Sequence, residues 1–513
     1  MRFLALALVL AVQAPSLIAQ GQPKLAPVLD RFIEKGLKDW NIPGLSIVVV
    51  RDGAVVYEKG FGVRELGKPG RVDPDTLFGM MSTTKAMTAL ALAMLVDEGK
   101  VGWDDPIRKH LPGFRLPDAY LTDHVTVRDV LRHTSGIQDA DLLWAREDLS
   151  TKDILARLDR VPTTSALRSD FIYHNVMYQV AGEVIAALSG MPWEQFIAMR
   201  ILTPLGMTRS RVTLGSVQAT ADTNISSAHF EISGQVRPIA EVTVDRVPAA
   251  GAVWSTAHDT GKWLAFLLAG GKVGDRPLVS SKVFAELWTP QVVVAPHQWG
   301  YPTMQLTGSR WLGYGLGWFL QDYRGQFVAM HTGSMDGRTA IIGLVPEAKV
   351  GVFIFGNLDH AEFRHALLWK VLDLCLGAPD RDWNAECLKL YNDLKAMGKG
   401  REAEQEKAQM KDTKPSHSLQ AYTGTYSHPA WGELKVTLEG QALALRMGPS
   451  PNFAGRLEHW HFDTFRTRFG DGRSGWSTLG FATALDGSIG AVVLGDPSLT
   501  FTKVPVAKAS PSH

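Results

Sequence analysis

Cysteine is nearly absent: the 513 residues contain two, Cys375 and Cys387. They lack the paired spacing of a metal knuckle or a redox motif, so no metal or redox chemistry falls to them. Their separation is equally compatible with a bridge and with two free thiols. An excess of one charge is missing too. Lys plus Arg number 53 against 52 for Asp plus Glu, a net charge of +1, so no single-signed field recruits nucleic acid or anionic lipid. There is no internal repeat and no G-x-S-x-G elbow, which counts against an α/β-hydrolase. Beyond the first residues no apolar run approaches the roughly 20 needed to span a bilayer.

The first residues, MRFLALALVLAVQAPSLIAQ, do hold an apolar run, Phe3 to Val12, behind one positive charge and ahead of Pro15 and Ala19. That is the three-part layout of a secretory signal, expected to occupy residues 1–20 with cleavage near Ala19. The run is about half a membrane span, and no Cys near the cleavage point offers a lipid anchor. The mature chain is therefore expected to be exported, periplasmic or secreted, with no integral membrane span.

The length predicts more than one folding unit. KLAPVLDRFIEKGLKDW has Leu25, Leu29, Ile33 and Leu37 at helical spacing, and LSIVVVRDGAVVYEKGFG follows as two strands turned at Asp52 and Gly53. Far downstream, turns at Arg324 with Gly325 and at Pro346 with Glu347 join three more apolar strands. Five strands, two early and three late, thus bracket a helical middle, and their short turns predict an antiparallel sheet. Residues 24–377 are expected to form this unit, 378–415 a charged helical linker, and 416–505 a small all-β domain. In that domain Trp431, Trp460, Phe462, Phe465 and Trp476 line a pocket or, more commonly, fill a core.

Three clusters carry chemistry. In MMSTTKAMTALALAMLVDEGK, Ala86 through Val96 is apolar on nearly every face, the mark of a central helix, and Gly99 closes it. Ser82 and Lys85 lie three apart, on one face of its first turn. Burial and the helix dipole both disfavour an ammonium there, so the amine is expected to lose its proton readily and to serve as base for a Ser82 nucleophile. A bare S-x-x-K also fits a capping Ser with a Lys reaching to water. The second cluster is YHN, with Asn175 expected to cap a helix running to Gly190, Tyr173 to exchange protons if nearby cations lower its pKa, and Asn175 to bind a substrate carbonyl. The third is MHTGSMDGR at a strand end. There the Ser334 N–H joins that of Ser82 as an oxyanion hole, Gly333 lets a substrate come close, and His331 and Thr332 face the pocket.

Taken in order, the three clusters resemble the serine β-lactamase and penicillin-binding protein superfamily, in its class C β-lactamase-like branch of esterases, D-aminopeptidases and DD-carboxypeptidases. Ser82, Thr83, Thr84 and Lys85 match its SxxK, Tyr173, His174 and Asn175 its YxN, and His331, Thr332 and Gly333 its KTG-like box. VTVRDVLRHTSGI, ILTPLGMTRS, GAVWSTAHD and YGLGW extend the likeness to roughly Leu25–Asn357. The resemblance implies an α+β fold, an antiparallel sheet of five or more strands flanked by helices plus a helical lobe, with the small all-β domain following. It implies acylation of Ser82 assisted by Lys85 and Tyr173, no cofactor and no metal, and a small-molecule or peptide substrate. His133 and Ser135 fall in a structural loop of that family.

His331 departs from the antibiotic-directed members, which commonly carry lysine there. A histidine is charged only part of the time near neutrality, and Arg338 is the nearby residue able to replace the cation. The expected activity is therefore cleavage of an ester or amide, including one in a D-amino-acid-containing peptide. β-Lactamase or DD-carboxypeptidase action is the alternative, and an inactive binder of cell-wall fragments is the non-enzymatic one.

Overall fold

The computed structural model describes residues 25–298, 301–495 and 499–505, so the expected leader lies outside the described residues. Among the latter, six helices run to 12 residues or more: α1 (Leu25–Asp39), α2 (Lys85–Asp97), α3 (Asn175–Ser189), α4 (Ala257–Leu268), α5 (Phe363–Leu376) and α6 (Trp383–Lys407).

The central sheet has eight strands where sequence periodicity marks five. They are β1 (Gly44–Arg51), β2 (Ala54–Gly62), β3 (Val292–Val293), β4 (Leu312–Tyr314), β5 (Phe319–Tyr323), β6 (Gln326–Met335), β7 (Arg338–Val345) and β8 (Val350–Gly356). Their order is β2-β1-β8-β7-β6-β5-β4-β3, antiparallel throughout. Asp52 and Gly53, like Arg324 and Gly325, all take positive φ, the conformation that closes a two-residue hairpin without splaying its strands. β3 and β4 span two and three residues, too short to impose a period of two on the sequence.

Helices cover both faces. Ile47 and Val49 of β1 point into a core shared with α1 and α5, whereas Val48 and Val50 point into the core around α2 and α4, the alternation a strand dictates. α2 is buried from Lys85 to Leu95, as its all-round apolar sequence predicts.

The charged segment after the core is less a tether than a docked arm. Trp383, Asn384 and Cys387 of α6 are buried, and the Trp383 indole donates to Asp373 at 2.7 Å. Only the later turns project into solvent. Cys375 and Cys387 are both buried free thiols, with pKa values raised by burial to about 11 and about 12. Beyond α6, eight strands from Gly424–His428 to Thr500–Lys503 close into a barrel. Trp431, Trp460 and Phe465 are buried in it, Phe462 is exposed, and Trp476 lies against Arg466 at 4.0 Å. The barrel rests on the sheet-and-helix unit: Arg146 donates to the Trp431 carbonyl, Arg157 to that of Ala430 at 3.3 Å, and Arg473 pairs with Asp336 at 2.9 Å.

Candidate active site

Ser82 sits in a 3-10 turn, Met81–Thr84, that feeds straight into α2. The turn is clamped: Met80 N–H donates to Val253 O at 2.7 Å, and the Thr83 hydroxyl to Met80 O at 2.8 Å. Met81 is held at φ +47, a left-handed backbone that a Met side chain disfavours by about 1 kcal/mol or more. Strain is thus stored one residue before the hydroxyl. Gly317, in the YGLGW stretch, closes the other side at φ +81, where a Cβ would lie 2.9 Å from Lys85 O.

The Lys85 amine lies 3.0 Å from Ser82 Oγ, 2.7 Å from Asn175 Oδ1 and 2.9 Å from Ala250 O. Two of these partners can only accept. Ala250 offers a carbonyl, and the Asn175 amide is oriented by its Nδ2 donating to the Asp141 carboxylate at 2.8 Å, which turns Oδ1 toward the lysine. A neutral amine has two N–H groups and one lone pair, so the two acceptors use the N–H groups and the lone pair is left for the serine. Burial brings the Lys85 pKa down to about 7, with Asp141 opposing the shift.

Tyr173 is packed at a tilt within an aromatic group, its ring 4.8 Å from Lys85 Nζ and 4.3 Å from the His133 ring, with Ser82 close enough to act on its phenol. The expectation of a cation-lowered phenol is corrected here: burial raises its pKa well above the ordinary value, outweighing the lowering influence of Ser82. Tyr173 is thus a neutral hydroxyl, able to pass a proton but not to wait as phenolate. The cap of α3 is likewise corrected. His174 takes that place, accepting from Met177 N–H at 3.3 Å, while its own N–H donates to His133 Nδ1 at 3.0 Å. Asn175 is the first residue inside the helix, its amide spent on Lys85 and Asp141.

His331, Thr332, Gly333 and Ser334 lie within β6. The β5 ladder ends at Phe319 opposite Met330, so beyond that point β6 presents an unpaired edge. Arg364 donates to Gly333 O and, at 2.9 Å, to Ser334 Oγ, and is itself held by Glu362 at 3.0 Å. Pinning the Gly333 carbonyl on that side turns the Ser334 N–H of the same trans peptide to the opposite side, toward the free edge. Burial opposes charge on Glu362, yet Arg364 and His365 hold its pKa down to about 2. Gly333 serves packing rather than substrate approach, since a Cβ there would meet Met80 O at 2.4 Å and Ser82 N at 3.3 Å.

His331 is neutral, its pKa lowered to about 3 by burial and by Lys85. Its Nδ1 lies 2.6 Å from the Thr332 carbonyl and its Nε2 3.0 Å from Tyr314 Oη, which fixes the proton on Nδ1. Arg338 does not replace the missing cation. It is buried against Trp254, bound to Ser226 at 2.6 Å and to Glu241. Ser82, Asp141, Asn175 and Ser334 all line a cavity of about 210 Å³ that continues past Ser82 into one of about 430 Å³ bounded by Tyr173, His331 and Thr332. Sequence reading missed Asp141 and Arg364. The sole signal for Asp141 was a carboxylate closely following the HTSGI loop.

Residues 29–375 match the family described as Beta-lactamase, well over half of the chain. The chain belongs to the beta-lactamase family. Residues 408–508, which include the barrel, match a separate family described as Domain of unknown function (DUF3471). Among curated relatives of this beta-lactamase family member, the unguisins hydrolase ungD' of Aspergillus campestris (strain IBT 28561) is 28% identical over 424 residues, 79% of this chain and 76% of that protein. Protein flp of Staphylococcus aureus (strain N315) is 26% identical over 350 residues, 64% of this chain and 63% of its own. The octameric penicillin-binding protein homologue from Pyrococcus abyssi shares the fold at TM-score 0.61 and 24% identity, over 93% of this chain and 100% of that one. SurE does so at 0.56 and 20%, over 94% and 99%.

Proposed function

We propose that the protein is an exported serine hydrolase that cleaves an ester or amide, including one in a D-amino-acid-containing peptide, through an acyl-enzyme on Ser82. The observation that carries this reading is the proton inventory at Lys85, whose lone pair is left over for the Ser82 hydroxyl. As Ser82 Oγ bonds to the carbonyl carbon, Lys85 takes its proton, and the oxyanion falls between the N–H groups of Ser82 and Ser334. Collapse breaks the bond to the leaving alcohol or amine, which takes a proton relayed by Lys85 and the Tyr173 hydroxyl; water then releases the acyl group. A hydrolase named for unguisins among the relatives supports the hydrolytic half of this reading. Export rests on the layout of residues 1–20.

Against β-lactamase or DD-carboxypeptidase action stand the neutral His331 and the fully engaged Arg338, neither of which offers a substrate carboxylate a free cation. An active-site phosphonate is expected to label the wild-type protein and not Ser82→Ala. Equal labelling of both removes Ser82 as nucleophile, and absence of label with retained peptidoglycan binding favours the inactive binder.

A further inference from the structure

The groove does not end at the catalytic residues. His360 lines both cavities beside Ser82 and also a third of about 980 Å³, while Tyr391 of α6 lines the second and the third. These two residues border both the candidate site and a larger chamber. Its walls are built, not loose. Trp40 donates to Asn384 of α6 at 2.8 Å, and Lys395 of α6 pairs at 2.7 Å with Glu231 of a hairpin, His229–Ile232 with Gln235–Pro238. That hairpin is anchored by His229, whose ring bonds Asn357 O at 2.9 Å and the Leu66 N–H at 3.0 Å.

At this junction the Tyr391 hydroxyl is buried and, among the described residues, has no hydrogen-bond partner. A buried donor without an acceptor costs about 1–3 kcal/mol, so its persistence calls for an explanation. Burial raises its pKa, which keeps it a donor at any physiological pH. His360 is held at φ +42, a strained backbone at the one position all three cavities share.

Building on the Ser82 hydrolase reading, we propose that the substrate is an extended peptide-like chain. It runs from Ser82 between His360 and Tyr391 into the third cavity, where the Tyr391 hydroxyl donates to one of its backbone carbonyls. α6, the arm that carries the barrel, is then a wall of the binding site, and Tyr391 determines specificity for length without touching the reacting atoms.

The test is kcat/KM for two series of activated esters, one with the acyl arm lengthened from one to four alanyl units and one with the leaving arm lengthened likewise, D and L series run separately. Four units reach roughly 13 Å when extended. One series is expected to gain at least about ten-fold with length. In Tyr391→Phe the ratio of longest-arm to shortest-arm efficiency is expected to fall roughly five- to ten-fold, the share of one neutral hydrogen bond. Asn392→Trp, which fills the chamber, is expected to lower the same ratio. A length profile flat in every series overturns the proposal, as does a gain that survives both substitutions, which would leave the phenol with water alone. Absence of turnover on every ester, with no phosphonate label, is the distinct failure of the Ser82 reading itself.

Discussion

At the scale of single residues, the proposed mechanism makes the proton on Lys85 govern rate as well as stability. With a folded pKa of about 7 against the ordinary 10.5, the amine is a base above neutrality, so acylation is expected to rise through about pH 7 and then level off. Between those two values the unfolded chain holds the extra proton, so stability is expected to climb with pH there, and Lys85→Met to flatten that slope in denaturant titrations. Lys85→Ala is expected to abolish acylation while changing melting temperature little, since the amine's lost bonds are offset by the burial cost it no longer bears. Tyr173→Phe is expected to slow turnover about 10²-fold, read in single-turnover burst kinetics. Sequence displayed Ser82 and Lys85 because a cation beside an all-apolar helix is a local anomaly. Asp141 and Arg364 were not legible, since each acts on a partner brought close by folding: Asp141 on Asn175, 34 positions away, and Arg364 on Ser334, 30 away.

Among the elements, the contact on which the proposed mechanism turns is between β6 and the turn that carries Ser82. Gly333→Ala would drive a methyl into Met80 O at 2.4 Å, separating the Ser334 N–H from that of Ser82. A loss of about 10² to 10³ in kcat is expected, with destabilisation of about 1–3 kcal/mol by thermal unfolding. An unchanged kcat would exclude this strand as an oxyanion donor. The long strands and α2 were legible because their periods extend over many residues, whereas β3 and β4 are too short to leave one. The cap of α3 was misassigned to Asn175 because His174 is a rare capping residue, used here since His133 already holds its backbone N–H.

For the molecule as a whole, both thiols belong to the packing between α5 and α6, so they report on whether the arm stays docked. A thiol reagent is expected to titrate none in the native protein and two after denaturation, without reductant. Fast native reactivity of Cys387 would mean that α6 detaches from the core. The sequence places the boundary of the catalytic unit before this arm because the later turns are so polar; the buried Trp383 shows that the helix starts inside the unit.

That single rod, 25 residues long, is rooted by Trp383 in one domain and bonded near its far end, through Glu406, to Arg466 of the other. It therefore works as a ruler. Adding one residue would advance the barrel by about 1.5 Å and swing it about 100° around the rod's axis, carrying Arg473 away from Asp336. Spacer length in this chain is consequently quantised, and any insertion short of a near-whole number of turns must redraw the rim of the cleft.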